Sequence, residues 1–252
     1  MRALLAFFTA LPVAARGSTL EGAAKRAYLL PFVGLLTGPF GAALLLLAFA
    51  VPPAVAATLA LAAVLLTAGL HHTDGVMDVG DALMVRGSPT RRRGVLKDDR
   101  TGAGAVGALF VVYAPPLAAL TALAGVSPVR AAFALLAGEV VVRSAMLLLL
   151  VFARPAEEAS SSAHFVRSLK EGRRRGVALV FALALPLLVA LPLGVPALFI
   201  ALAVPVVTAL FVLAVAKRAF GGISGDVTGA TGELARAILL VALSFYATPV
   251  GS

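Results

Sequence analysis

Three aspartates recur at a helical spacing directly after an apolar stretch of the chain. Asp74, Asp78 and Asp81 stand at positions i, i+4 and i+7, so on a helix they share one face. No lysine or arginine lies between His71 and Asp81, and like charges at this spacing repel each other. A hard divalent cation such as Mg²⁺, which binds carboxylates and substrate phosphates, would justify the arrangement. The alternative is a solvated helix start, where the helix dipole favours acidic residues.

A second polar segment follows, with two cations placed around two acids. Lys97, Asp98, Asp99 and Arg100 precede a Gly-Ala-Gly sequence that opens the next apolar run. Basic side chains at a glycine-containing helix start suit a phosphate group. Metal ions and basic groups together carry out phosphoryl transfer, so Lys97, Asp98 and Arg100 are candidate catalytic residues. A basic loop that only fixes membrane orientation would have a similar sequence.

Two ionisable residues stand inside an otherwise apolar run. Glu139 and Arg143 are four residues apart, so they are neighbours on a helix. Charged groups within a membrane helix are costly and normally face the interior of the bundle. The sequence therefore predicts either a structural ion pair or a pair of catalytic residues that act on the substrate.

A glycine-rich segment precedes the last apolar run. Gly221, Gly222 and Gly225 lead to Asp226, and glycines before a helix allow the backbone to approach a ligand closely. We predict that these four residues bind substrate. We expect His72 to be a hydrogen-bond partner of the substrate rather than a metal ligand, because three hard oxygen ligands lie beside it.

The elements that position these residues are membrane helices. The chain is 61% hydrophobic and 13% charged, whereas soluble domains carry about a quarter charged residues. A span needs about 20 mostly apolar residues. The sequence predicts an all-α fold, a polytopic transmembrane helical bundle of about seven spans in one integral-membrane domain, residues 1–252. The predicted spans lie near 29–51, 53–70, 104–124, 129–152, 176–193, 196–216 and 234–249.

Charge is distributed unequally over the connectors between these runs. The connectors 71–103, 153–175 and 217–233 are long and charged and hold most of the lysine and arginine, whereas on the opposite side only Arg130 appears. Basic residues accumulate on the cytoplasmic side of a membrane. We therefore predict a multi-pass protein of the cell membrane with a cytoplasmic N-terminus and active site, and an external C-terminus. Six spans would remain if the last run does not cross.

Two further features bear on location and partners. The net charge of +9 is explained by this membrane orientation and argues against a nucleic-acid partner. The N-terminal apolar run is broken at Pro12 and is followed by more membrane segments. We expect a retained amphipathic or re-entrant segment there rather than a cleaved signal. The sequence leaves open whether copies of the chain assemble into a homo-oligomer.

Together these motifs resemble the cobalamin synthase family, adenosylcobinamide-GDP ribazoletransferase. The motifs that carry the resemblance occur in order from residue 7 to residue 233: Phe7-Phe8-Thr9-Ala10-Leu11-Pro12, Pro31-Phe32-Val33-Gly34, the block from His72 to Asp81, Lys97 to Gly102, and Gly221 to Asp226. Asp99 departs from the pattern, which has a small hydroxyl residue there. The resemblance implies transfer of α-ribazole, or its 5′-phosphate, onto adenosylcobinamide-GDP with release of GMP and with Mg²⁺ as the cofactor.

Two other functions share some of these sequence features. A CDP-alcohol phosphotransferase also uses aspartates at a membrane boundary, but it needs Ala-Arg where this chain has Asp78-Val79. A cation-coupled transporter could use Glu139 and Arg143 in its pathway. Against a transporter, most acidic residues lie in the connectors, and the chain shows no inverted repeat.

Overall fold

The protein is a bundle of α-helices without sheet structure, apart from one isolated β-bridge, in the part of the chain that the structure describes. The computed structural model describes residues 1–13, 20–98 and 100–247. Its helices are α1 (Arg2–Phe8), α2 (Leu20–Ala24), α3 (Leu30–Leu45), α4 (Pro53–Ala68), α5 (His71–Met84), α6 (Pro89–Val95), α7 (Ala103–Val126), α8 (Pro128–Phe152), α9 (Ser161–Lys170), α10 (Arg174–Ala190), α11 (Val195–Ala219) and α12 (Gly225–Ala247). Short 3₁₀ turns adjoin α3 and α10.

Six of these segments are long and apolar enough to cross a membrane, and the pair α4–α5 is a seventh candidate. The predicted multi-pass bundle is therefore confirmed. The helix α12 begins at Gly225, earlier than the predicted 234, because its small and polar first residues are helical where they pack against α5 and α8. The predicted external C-terminal tail and residue 99 lie outside the described residues.

The second predicted span differs from the others because a single straight helix does not cover it. The helix α4 has 16 residues, about 24 Å at 1.5 Å per residue, which is short of the roughly 30 Å hydrocarbon core. Gly69 and Leu70 then adopt left-handed backbone angles, with φ of 87° and 57°. The chain turns there by 92° into α5. Because of this bend, α5, which carries the three predicted metal-binding aspartates, does not continue in the direction of α4.

The three long connectors meet at one end of the bundle, called here the connector end. The guanidinium of Arg93 donates to the Phe220 carbonyl at 2.7 Å, and Lys97 contacts Glu157 at 2.8 Å. The backbone of Ile223 pairs with the segment 154–156. At the opposite end, Arg130 shares a cleft with the ends of α11 and α12. The three long connectors therefore lie together at one end of the bundle.

The central helix of the bundle is α8. Nearly all of its residues from Ala131 to Val151 are buried, and it packs against α3, α7, α10, α11 and α12. The helix α3 approaches so closely that a Cβ at Gly34 would lie 2.4 Å from the Glu139 carbonyl oxygen. Burial on all sides explains why the charged residues of α8 must find partners on other helices.

Candidate active site

The site forms where α5 crosses the first turns of α12. A Cβ at Gly75 would lie 2.6 Å from the Asp226 carbonyl oxygen, and one at Gly229 would lie 3.0 Å from the His72 Cα. Only glycine permits this backbone approach without displacing one helix. The crossing brings the α5 backbone at Gly75 against the backbone of Asp226, which lies far from it along the chain.

Two of the predicted metal-binding carboxylates have no neutralising partner. Asp74 is exposed and Asp78 is half-buried. Neither side chain makes a hydrogen bond or an ion pair with any residue that the structure describes. Both repel Asp226 electrostatically, whose Oδ2 accepts a hydrogen bond from the Ser224 hydroxyl at 3.1 Å. The crossing therefore concentrates negative charge at the connector end.

The third predicted metal ligand, Asp81, has a structural contact. Its Oδ2 accepts from the Gly102 N–H at 2.7 Å, and its Oδ1 accepts from the Ala105 N–H at 2.9 Å. The first backbone N–H groups of a helix lack internal partners, so Asp81 caps α7 from the neighbouring helix. Each carboxylate oxygen retains a second lone pair for another interaction.

The chemistry of these donors fits Mg²⁺. Among the described residues, no group of three His, Cys, Asp or Glu side chains is arranged as a ready-made metal cluster. Mg²⁺ usually binds one or two carboxylates and completes its shell with water and substrate phosphates. The unpaired carboxylates of Asp74 and Asp78 meet that requirement without a closed protein cage.

The predicted catalytic residues of the following loop pair with acids. Arg100 hydrogen-bonds both oxygens of Asp98, at 3.1 and 2.9 Å, and lowers the pKa of that carboxyl. Lys97 hydrogen-bonds Glu157 and lowers the pKa of its carboxyl. All four side chains are at least one-third exposed, so Lys97 and Arg100 can exchange these partners for a phosphate at little cost.

Glu139 pairs with an arginine that the sequence analysis did not single out. Its Oε1 accepts from the Nε of Arg236 at 2.8 Å, and its Oε2 accepts from the Thr37 hydroxyl at 3.3 Å. Arg236 also contacts Glu233. Of the two alternatives for Glu139 and Arg143, a structural ion pair between them is therefore wrong. The two share a face of α8, but Arg143 extends toward α5, and Arg236 on α12 occupies the position beside Glu139.

Arg143 lies behind the site and holds two of its segments. Its Nη1 lies 3.0 Å from the Nδ1 of His72, and its Nη2 donates to the Phe8 carbonyl at 3.4 Å. His72 is also 3.8 Å from Glu233. Arg143 is fully buried, so in this structure it positions α1 and α5 and does not face solvent.

The predicted glycines have different surroundings. A Cβ at Gly222 would lie 2.7 Å from the Ala156 backbone nitrogen, so this glycine permits the contact between two connectors. Gly221 has a φ of 77°, which favours glycine. Gly225 is exposed and lines a cavity together with Asp226 and His72. The structure therefore brings Gly225, but not Gly222, to the candidate site.

That cavity has a volume of about 310 Å³ and also involves residues that sequence reasoning did not assign to the site. They come from α1 and α9: Phe7, Phe8, Ser161, Ser162 and Phe165. The phenylalanines of α1 belong to the first motif of the family resemblance, so the sequence could have indicated that they contribute to the site. The helix α9 lies inside a connector that was interpreted as a basic loop, so only its tertiary position reveals its part in the site.

Comparison with known proteins gives consistent results over the whole chain. The family model described as cobalamin-5-phosphate synthase matches residues 1–244. The adenosylcobinamide-GDP ribazoletransferase of Azorhizobium caulinodans is 35% identical over 98% of this chain and 96% of its own. That of Halorubrum lacusprofundi is 36% identical over 95% and 94% of the two chains. No solved structure matches this chain. The chain belongs to the cobalamin-5-phosphate synthase family.

Proposed function

We propose that this enzyme joins adenosylcobinamide-GDP to α-ribazole, or to α-ribazole 5′-phosphate, with release of GMP and with Mg²⁺ as cofactor. Its relatives carry the name adenosylcobinamide-GDP ribazoletransferase. The observation that carries the proposal is that Asp74 and Asp78, which have no cationic partner among the described residues, lie on the helix that crosses α12 at Asp226. Carboxylates without a cationic partner are the expected protein ligands of a metal that binds a diphosphate.

The bonds that change define what the site must hold. A ribose hydroxyl oxygen attacks the phosphorus that bears cobinamide, and a new P–O bond forms. The bond from that phosphorus to the bridging oxygen breaks, and GMP leaves with that oxygen while the hydroxyl releases its proton. Phosphoryl transfer of this kind depends mainly on positioning and on offsetting charge. Lys97 and Arg100 are the exposed cations that would approach the diphosphate.

Asp74 and Asp78 would hold Mg²⁺, with Asp81 contributing its free lone pairs. When bound, the metal polarises the phosphoryl oxygens and offsets their charge. Asp226 and Gly225 would contact the acceptor, since both line the cavity. Arg143 would keep His72 and α1 in place around it.

Turnover by the purified protein tests this proposal. Wild type supplied with Mg²⁺, adenosylcobinamide-GDP and α-ribazole should release GMP. Asp74→Asn and Asp78→Asn should each lose about 3 kcal/mol of transition-state stabilisation, roughly 100-fold in rate. The matched control is Glu158→Gln, which removes an exposed acid that pairs only with Arg167 among the described residues.

Metal binding can be measured apart from turnover. Mn²⁺ can replace Mg²⁺ as a probe that is detected by electron paramagnetic resonance. Wild type and Glu158→Gln should bind Mn²⁺ equally, and Asp74→Asn should bind it more weakly. Near-normal turnover in both Asp74→Asn and Asp78→Asn would refute the metal assignment. Metal binding without GMP release in wild type would instead refute the proposed reaction.

We also infer that the connector end faces the cytoplasm, in the cell membrane. The basis is the concentration of lysine and arginine in the three long connectors. Reporter insertions at residues 90, 165 and 225 should all report a cytoplasmic location. An external signal at any of them would overturn this orientation.

A further inference from the structure

We propose that the 310 Å³ cavity binds the aromatic base of the acceptor nucleoside, with its ribose directed toward Asp226. This inference rests on the proposed function and names the part of the substrate that the cavity takes. The cavity lies between α1, α8, α9 and the crossing of α5 with α12. Its volume is at the lower end of the range for small-molecule sites.

One wall of the cavity is built from three phenylalanines. The rings of Phe7 and Phe8 are 4.9 Å apart, and those of Phe7 and Phe165 are 5.2 Å apart. Phe8 and Phe165 are buried, whereas Phe7 remains 40% exposed. A buried edge-to-face cluster with one open ring offers a planar ligand a surface for stacking.

Part of the cavity lining is polar and acidic. It carries Asp226, Thr228 and the hydroxyl of Ser161, which suit the hydroxyl groups of a ribose. No lysine or arginine lines the cavity among the residues that the structure describes. A phosphate group is therefore not held inside, and a 5′ substituent, phosphorylated or free, would point out of the cavity.

The other substrate fits this cavity poorly. Its corrin macrocycle is far larger than a cavity of this volume. Its guanine base carries polar edges, and burying these against phenyl rings leaves their hydrogen bonds unmade, which is costly. A benzimidazole ring is largely apolar and lacks such exocyclic groups. The cavity should therefore prefer benzimidazole nucleosides to purine nucleosides.

Steady-state kinetics with separate variation of the two substrates tests the assignment. Phe7→Leu and Phe165→Leu should raise KM for α-ribazole about tenfold, the effect expected from losing a base–aromatic contact. They should leave KM for adenosylcobinamide-GDP unchanged. The matched control is Phe32→Leu, since Phe32 packs edge-to-face on Phe181 at 5.0 Å and does not line the cavity.

A second arm compares α-ribazole with the α-riboside of adenine. Wild type should favour the benzimidazole nucleoside, and the two cavity variants should lose much of that preference. An unchanged KM for α-ribazole in both variants, or an equal rise in Phe32→Leu, would overturn the proposal.

Binding of α-ribazole alone separates this inference from the proposed reaction. Equilibrium dialysis needs no turnover, so it also tests a variant that has become inactive. Wild-type affinity in both Phe7→Leu and Phe165→Leu would overturn the cavity assignment. Failure of the wild type to release GMP, together with Phe-dependent binding of α-ribazole, would refute the reaction and leave the cavity assignment in place.

Discussion

Replacing Arg236 by methionine should destabilise the protein strongly, because one arginine serves two buried carboxylates. Arg236 is 1% exposed and contacts Glu139, which is fully buried, and Glu233, which is 1% exposed. Removing one partner of a buried ion pair costs about 3–5 kcal/mol, since it leaves a charge buried without compensation. For a chain of this size, that loss corresponds to a fall in Tm of about 6–20 °C.

Thermal unfolding of the purified protein in detergent measures the effect. The control is Arg218→Met, which removes an exposed arginine at the end of α11 and should leave Tm unchanged. The double variant with Arg236 and Glu139 both changed to methionine should recover part of the loss, because the buried charges that remain, Glu233 and Arg143, are opposite in sign and attract each other. If Arg236→Met melts like the Arg218→Met control, the assigned ion pairs do not contribute to stability.

Three further changes have defined outcomes. Lys97 holds the pKa of Glu157 below its ordinary 4.5, so the stabilisation from this pair is present above that value and lost as the pH falls through the folded value. The Tm difference between wild type and Glu157→Gln should therefore vanish in acid, and a difference that persists would contradict the pairing. Gly75→Ala should lower GMP release at least tenfold, because its Cβ would lie 2.6 Å from the α12 backbone, whereas Gly107→Ala, with open space around it, should be neutral in the same assay. Arg143→Lys should lower turnover about tenfold, since one ammonium cannot hold both segments that the guanidinium fork contacts, and full turnover would exclude this role.

The apolar runs determined the architecture without any tertiary information. Spans predicted near 104–124, 129–152 and 196–216 lie close to where α7, α8 and α11 occur, because in a lipid environment the backbone must satisfy its own hydrogen bonds within each crossing segment. The uneven basic charge of the connectors likewise predicted that all three lie on one side of the membrane. These are local properties, so they can be read from consecutive residues.

Which side chains become partners of the buried charges was decided only by the packing of the helices. The sequence places Arg143 nearest to Glu139, yet the structure pairs Glu139 with Arg236, which lies on another helix. A buried charge takes the partner that the helix packing brings to it, and spacing along one helix cannot identify that partner. The same holds for Asp81, whose role as a cap depends on where α7 begins.

The candidate site depends both on the spacing of residues along the sequence and on how the helices pack. The spacing of Asp74 and Asp78 is enough to place them on one face of a helix, because the helical repeat fixes that relation. The crossing of their helix with α12 at Asp226, and the cavity between α1, α9 and α12, depend on the 92° turn after α4 and on the close approach at Gly75. The sequence by itself determined which groups could do the chemistry. The tertiary structure decided which of them meet, because contacts between distant segments depend on how whole helices pack.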